Sequence, residues 1–364
     1  MATSTLRIMT DLPERKSIVL DKTITPSYIV RHLDHYVIGQ DDAKKTVAVA
    51  VYLHYRKIAR ARQDDTPTTK SNVLLIGPTG TGKTLLCESL ARILDVPFVT
   101  AEATSLAQSR YVNEEIEAML RRLVDKAGGD MARARSGIVF IDEIDKLKTT
   151  DSQPRSVSGE SVQHALLKIM EGAPFKLSDG QYIDTTDVLF ICGGAFVGLE
   201  EIMSQSNSYG YISTSQGDNK AIMDRLNAHI KPTDLFTFGL IPEFTGRLPV
   251  IARFRDLDRD KLVRIMTEPK GSLYAQFRDI FGHEGVELTV APRVFEQIAE
   301  LAMEYRTGAR SLRGIFEEMV EPMLYMVPDN PDIRTVTIKS LFSDPVIVRG
   351  QPIARGHAIE GSAS

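Results

Sequence analysis

Gly77-Pro78-Thr79-Gly80-Thr81-Gly82-Lys83-Thr84 follows directly on the apolar run Val73 to Ile76 and leads directly into the helix-forming run Leu85 to Leu94. This is the order strand, glycine-rich loop, lysine, hydroxyl, helix. Glycines let backbone amides turn inward around phosphate oxygens, Lys83 reaches the β- and γ-phosphates, and Thr84 offers its hydroxyl to Mg²⁺. The helix that begins here adds the positive end of its dipole. The octet is therefore read as a phosphate-binding loop, with Gly77, Pro78, Thr79, Gly80, Thr81, Gly82, Lys83, Thr84 and the adjoining Leu85 as the candidate nucleotide-binding residues.

A second signal lies downstream. Ile138-Val139-Phe140-Ile141 is a fully apolar strand ending in Asp142-Glu143, followed by Ile144-Asp145-Lys146. A carboxylate at the tip of a buried strand beside the loop completes a magnesium shell, and the next one can orient or deprotonate an attacking water. Asp142 is the candidate metal residue, with Thr84, and Glu143 the candidate base. An acid that activates water implies hydrolysis rather than transfer to a substrate hydroxyl.

Around these two motifs, short apolar runs alternate with helix-length segments: Val73 to Ile76, Phe98 to Ala101, Ile138 to Ile141, Val188 to Ile191 and Leu248 to Phe254. Such alternation implies a parallel sheet covered on both faces, an α/β core. Upstream, a helix is expected to start after Thr25, with Pro26 at its first position and an end near His35, and another to run from Asp41 to Arg62. After about Asp256 helices dominate: Lys261 to Thr267, Gly271 to Phe281, Pro292 to Tyr305 and Ser311 to Met326, with two β-like runs, Val286 to Val290 and Thr335 to Ile338. The expected organisation is a loose leader over 1–25, a large α/β domain over 26–256, a smaller, mostly helical domain over 257–345 and a flexible tail over 346–364. The 364-residue length fits two domains at roughly 150 residues each.

Composition narrows the function classes. With 44 basic and 48 acidic residues the net charge is −4, so no global positive excess exists to hold a polyanion. Nucleic acid is an unlikely partner on that ground, and the chain has no tryptophan and no basic stripe interleaved with aromatics. Cys87 and Cys192, the only cysteines, are too far apart in sequence for a metal knuckle or a disulfide framework, which points to a reducing compartment. No run of about 18 apolar residues is present, and a cytoplasmic protein with no membrane partner is expected. The seven histidines show no metal-ligand spacing and are read as structural or surface residues.

Four longer strings make the motifs recognisable: His35-Tyr36-Val37-Ile38-Gly39-Gln40, Leu189-Phe190-Ile191-Cys192-Gly193-Gly194-Ala195-Phe196, Gly239-Leu240-Ile241-Pro242-Glu243-Phe244-Thr245-Gly246-Arg247-Leu248-Pro249 and Thr307-Gly308-Ala309-Arg310-Ser311-Leu312-Arg313. With the loop and Ile141 to Lys146 they resemble the ClpX family of AAA+ protein unfoldases, from about Thr25 to about Ile338. The resemblance implies an AAA+ large domain and small domain, ATP and Mg²⁺, protein substrates, and a homo-oligomeric ring, usually a hexamer, with nucleotide between neighbouring subunits. Val37 and Ile38 match the segment that packs on the adenine. Arg247 matches the arginine that reaches a neighbour's site, where a guanidinium stabilises charge developing on the γ-phosphate. Arg310 matches the sensor arginine that touches nucleotide from the small domain. Together with Asp142 and Glu143 these arginines are the candidate catalytic set.

The chain departs from the family outside the nucleotide motifs. Arg110-Tyr111-Val112-Asn113 stands where the family's pore loop holds an aromatic and an aliphatic residue between glycines. Tyr111 and Val112 are the candidate substrate-gripping pair, on a backbone freer of glycine. Between Lys146 and Ser158 the second pore loop is shorter, and Glu171 to Val188 lacks the family's Arg-Lys-His insertion. Where the peptidase-docking tripeptide Ile-Gly-Phe is expected, the text is Tyr209-Gly210-Tyr211-Ile212, which puts docking on the ClpP peptidase in doubt. The family's amino-terminal zinc-binding domain, and adaptor binding through it, is expected to be absent, in keeping with two cysteines. An ATP-driven unfoldase or remodeller, with independence from ClpP as one form of it, is thus expected ahead of two alternatives: a motor on nucleic acid, and an ATP-binding assembly scaffold.

Overall fold

The protein is described by a computed structural model over residues 24–64, 70–109, 111–148, 159–208 and 230–351. The leader as far as residue 23, Arg110, most of the second pore-loop stretch, Tyr209 to Ile212 and the tail from 352 lie outside the described residues.

Five parallel strands form the main sheet: β1 (Val73–Ile76), β2 (Phe98–Glu102), β3 (Ile138–Asp142), β6 (Leu189–Gly194) and β7 (Val250–Arg253), in the order β2-β3-β6-β1-β7. All five expected runs are strands, with ends shifted by a few residues. Alternate residues of each strand share a face. Leu74, Ile76, Val139, Ile141, Phe190 and Cys192 accordingly join one apolar cluster with Ile116, Met119 and Leu120 of the helix Val112–Lys126 and Leu166 and Met170 of the helix Gly159–Glu171. A small hairpin, β4 (Pro174–Lys176) with β5 (Tyr182–Asp184), was not expected. Three-residue strands are too short to show a period.

Ahead of the sheet, Pro26–Leu33 is a helix whose Tyr28 amide donates to Thr25 Oγ1 at 3.2 Å, the hydroxyl cap that sets its start. The next helix, Asp41–Asp64, runs two residues past its expected end. On it His54 is buried, and its Nε2 donates to the Asp187 carbonyl at 3.0 Å.

Chain contacts define two compact units, one built on Asp42–Ile76 and Cys87–Arg253, the other on Arg31–Asp41, Gly77–Leu86 and Phe254 onward. The second unit therefore gathers the phosphate loop and the His35-to-Gln40 string with the C-terminal helices. Those helices are Arg259–Thr267, Leu273–His283, Pro292–Glu304 and Arg310–Met326, around a core with Phe277, Phe281, Phe295 and Phe316. β8 (Glu287–Val290) pairs in parallel with β9 (Ile333–Ile338). β9 also takes an antiparallel partner, β10 (Val346–Arg349), so the first four residues assigned to the flexible tail are a strand. The physical reason is the β-branched run Val346-Ile347-Val348, whose Ile347 packs against the core of this unit, which a composition reading of the tail passes over. Among the described residues no helix is long and apolar enough to cross a membrane.

Burial lowers the His54 pKa from 6.5 to about 4, with Lys70 and Lys57 acting in the same direction. The unfolded chain then binds a proton that the folded chain refuses, so stability falls as pH drops from about 6.5 towards 4 and levels off below. A shift of this size corresponds to at most about 3 kcal/mol. Urea midpoints across that window should decline in the native chain and decline less in His54→Gln; identical slopes would contradict the assignment.

Candidate active site

The register of the main sheet sets the site. Ile76 of β1 pairs with Gly194 of β6, and Cys192 of β6 pairs with Ile141 of β3, so the carboxyl ends of these strands lie side by side. Open α/β sheets bind ligands at that edge. The phosphate loop leaves β1 there, and Asp142 closes β3 there.

Within the loop, Thr81 Oγ1 donates to the Pro78 carbonyl at 2.8 Å, closing the turn. Lys83 is buried, and its Nζ donates to the carbonyls of Gly77 at 2.6 Å and Pro78 at 2.9 Å. An ammonium group is thus held inside the ring of backbone that would surround phosphate. Gly80, at φ +78°, could carry no side chain: a Cβ would stand 2.4 Å from the Thr307 carbonyl oxygen. Ala309 N donates to the Gly80 carbonyl at 3.2 Å, so Thr307-Gly308-Ala309 backs the loop tip. Beside it Thr307 Oγ1 is buried without a hydrogen-bond partner among the described residues, a polar atom suited to a polar ligand. Arg310 follows, exposed at the start of its helix and without an ion-pair partner among the described residues.

Val37 and Ile38 are buried, and Val37 Cγ1 lies 3.9 Å from the Cβ position of Gly82. Gln40 fixes them. It adopts a left-handed φ of 58°, donates its Nε2 to the Arg255 carbonyl at 2.8 Å and accepts from Arg255 N at 2.9 Å. In the same unit a groove of about 250 Å³ is lined by Tyr36, Leu85, Met266, Leu312 and their neighbours. It has apolar walls and polar edges, the character of a pocket for a planar base. Leu85 is 44% exposed, a large apolar side chain that a ligand would cover. Tyr36, Met266 and Leu312 were missed by sequence reasoning because they read as ordinary core periodicity.

In the other unit Asp142 and Glu143 are half-buried. Asp142 Oδ1 accepts from the Glu143 amide at 2.8 Å, and Thr104 Oγ1 donates to Glu143 Oε2 at 3.3 Å. Glu143 has φ 58° and ψ 31°, a left-handed conformation that costs a non-glycine residue about 1–3 kcal/mol. Asp145 is buried and accepts from Ala195 N and Phe196 N, both at 3.3 Å, so it is a structural acid of this turn. Thr104 carries no motif signal and emerges only from the fold. Both cysteines are buried and free; burial pushes the Cys192 thiol up to about 12 and also raises Cys87, which keeps them inert.

Arg247 lies at the end of the short helix Pro242–Gly246. Its Nε and Nη2 donate to Glu171 Oε1 at 2.9 and 2.6 Å, both side chains being about half-exposed. Such exposed pairs are worth about 0.2–1 kcal/mol, so this one adds little to overall stability. Tyr111 precedes the helix Val112–Lys126 at its N-cap position and is 64% exposed, whereas Val112 packs against the core. Tyr111 is therefore not a packing residue.

Residues 68–251 match the family described as the AAA domain (Cdc48 subfamily), and residues 257–336 match the C-terminal, D2-small domain, of ClpB protein. The chain is 40% identical over 338 residues to the ATP-dependent Clp protease ATP-binding subunit ClpX of Azotobacter vinelandii, covering 86% of this chain and 77% of that protein. It is 42% identical over 342 residues to the subunit named ClpX 3 of Methylococcus capsulatus, covering 86% and 79%.

Leu85→Ala removes an apolar wall of the groove while leaving the helix intact. It should weaken binding of a fluorescent adenine nucleotide about fivefold, roughly 1 kcal/mol, with little change in thermal midpoint. Unchanged affinity would remove the groove from the site.

Proposed function

Because the chain belongs to the ClpX family of AAA+ ATPases, we propose that it hydrolyses ATP within a ring of identical subunits, hexameric by family, to unfold and thread protein substrates. The observation that carries the hydrolytic part is Glu143. A strained, left-handed carboxylate, held by Asp142 and Thr104 at the carboxyl edge of the sheet, is a group kept in place at a cost, which points to function.

The roles are assigned as follows. The backbone of Gly77 to Thr84 and the Lys83 ammonium bind the triphosphate, and Val37, Ile38 and Leu85 take the base. Glu143 accepts a proton from the water that attacks the γ-phosphorus as the bond to the β-phosphate oxygen breaks and ADP leaves. Arg247 of a neighbouring subunit stabilises the charge on the transferred group, and Arg310 senses the nucleotide. Magnesium, when bound, neutralises phosphate charge; the Thr84 hydroxyl and Asp142 carboxylate are hard oxygen donors of the kind that complete its shell alongside phosphate.

The functional domains are 26–256 and 257–345, with strand β10 added to the second. Tyr111, backed by Val112, is the substrate-gripping residue, which its exposure supports. The relatives are named as subunits of a protease. Tyr209-Gly210-Tyr211-Ile212 gives no support to docking on ClpP through an Ile-Gly-Phe tripeptide, and co-sedimentation with that peptidase decides the point. A cytoplasmic location goes with this reading, and no nucleic-acid partner is proposed.

Two substitutions test the motor. Glu143→Gln should lower ATP turnover at least a hundredfold, at the low end of general-base effects, with ATP still bound by equilibrium titration. Hydrolysis at the native rate would discard Glu143 as the base. Tyr111→Ala should leave ATPase activity within about twofold of native while unfolding of a tagged fluorescent reporter is lost, since gripping and hydrolysis use different groups. Undiminished unfolding would contradict a threading role for that ring.

A further inference from the structure

Asn72 stands immediately before β1 and is buried. Its Nδ2 donates to the Met170 carbonyl at 3.2 Å and to the Arg247 carbonyl at 3.1 Å, and its Oδ1 accepts from Phe190 N at 3.4 Å. One amide side chain therefore ties to the sheet both the last turn of the helix Gly159–Glu171 and the backbone of Arg247. The final carbonyls of a helix lack partners within it. Here the Ile169 carbonyl is also satisfied, by Thr185 Oγ1 at 2.8 Å and Lys70 Nζ at 3.3 Å. That helix end cannot shift without leaving buried polar groups unpaired.

Glu171 projects from this fixed end and receives Arg247 by one edge of the guanidinium, Nε at 2.9 Å and Nη2 at 2.6 Å on the same carboxylate oxygen. Nη1 has no partner among the described residues. A long arginine side chain loses rotamer freedom on being aimed, and a planar fork can be held on one edge while the remaining donors stay available.

We propose that Glu171 is a positioning residue for Arg247: it aims the guanidinium from a backbone locked by Asn72, so that the remaining donors meet the phosphoryl group held by the next subunit. The proposal rests on the reading of Arg247 as the trans-acting arginine.

The test uses steady-state ATPase kinetics of the full chain. Glu171→Gln keeps the shape and removes the charge; kcat should fall roughly three- to tenfold, with KM for ATP and thermal midpoint unchanged. Arg247→Ala should fall further, and the double variant should be no slower than Arg247→Ala alone, because both losses act through one guanidinium. Mixing Glu171→Gln chains with Glu143→Gln chains should raise turnover above the sum of the separate rates, since the latter supply a correctly aimed Arg247; a merely structural defect would not be rescued in this way. Native or raised kcat in Glu171→Gln while Arg247→Ala is impaired would overturn the proposal alone, as would additive losses or no gain on mixing. Native hydrolysis by Arg247→Ala would instead overturn the trans-acting reading beneath it.

Discussion

The parallel register of five strands is the constraint on which the rest depends. In a parallel sheet every strand delivers its carboxyl end to the same edge. The pairing of Ile76 with Gly194 and of Ile141 with Cys192 makes that edge level across β1, β6 and β3. A slip of one residue would turn Asp142 to the opposite face. The apolar cluster that includes Leu74, Ile76, Val139, Ile141, Phe190 and Cys192 opposes the slip, because it would send those side chains to the other buried face, where the packing partners differ. Chemistry at the edge is thus guarded by packing behind it.

Loops have no ladder of their own, and amide side chains supply one. Gln40 clamps Arg255, Asn72 joins Met170 to Arg247, and Gln163 accepts from Ile241 N at 2.8 Å while donating to the Leu147 carbonyl at 2.9 Å. A primary amide can donate and accept at once, so it can bridge two main-chain segments that never pair as strands. These three residues hold the segments that carry Val37, Arg247 and the turn after Glu143. The two Asn72 and Gln163 bridges both bear on the stretch leading to Arg247, which leaves the guanidinium as the adjustable part of an otherwise fixed arm.

Much of this was legible in the sequence. The five strands announced themselves as apolar runs between turn residues, and the octet from Gly77 to Thr84 fixed its own place because strand, glycines, lysine and hydroxyl occur in one order. Asp142 and Glu143 were readable from their position at a strand tip. Val37, Arg247 and Arg310 have no such local signature, and the roles proposed for them come only from the resemblance, since an adenine contact or a trans-acting charge depends on chain-distant partners. Asn72, Thr104 and Glu171 gave no signal, because an Asn before a strand or a Glu at a helix end is ordinary until its partners are known. β10 and the hairpin β4–β5 were hidden by shortness. The grouping of Gly77–Leu86 with the C-terminal helices depends on backbone contacts of Gly80 with Thr307 and Ala309, which no periodicity encodes.

On the proposed reading, the Gly77-to-Thr84 loop and Glu143 of one chain work with Arg247 of a neighbour. Arg247 on its own chain is held by one edge of its guanidinium on Glu171. Hydrolysis should then be a property of the assembled ring. The most direct measurement is phosphate release per chain, at saturating ATP, across a dilution series in which sedimentation reports assembly. The account predicts that specific activity rises in step with the oligomer and vanishes where monomers dominate. A specific activity that stays constant through complete dissociation would contradict it.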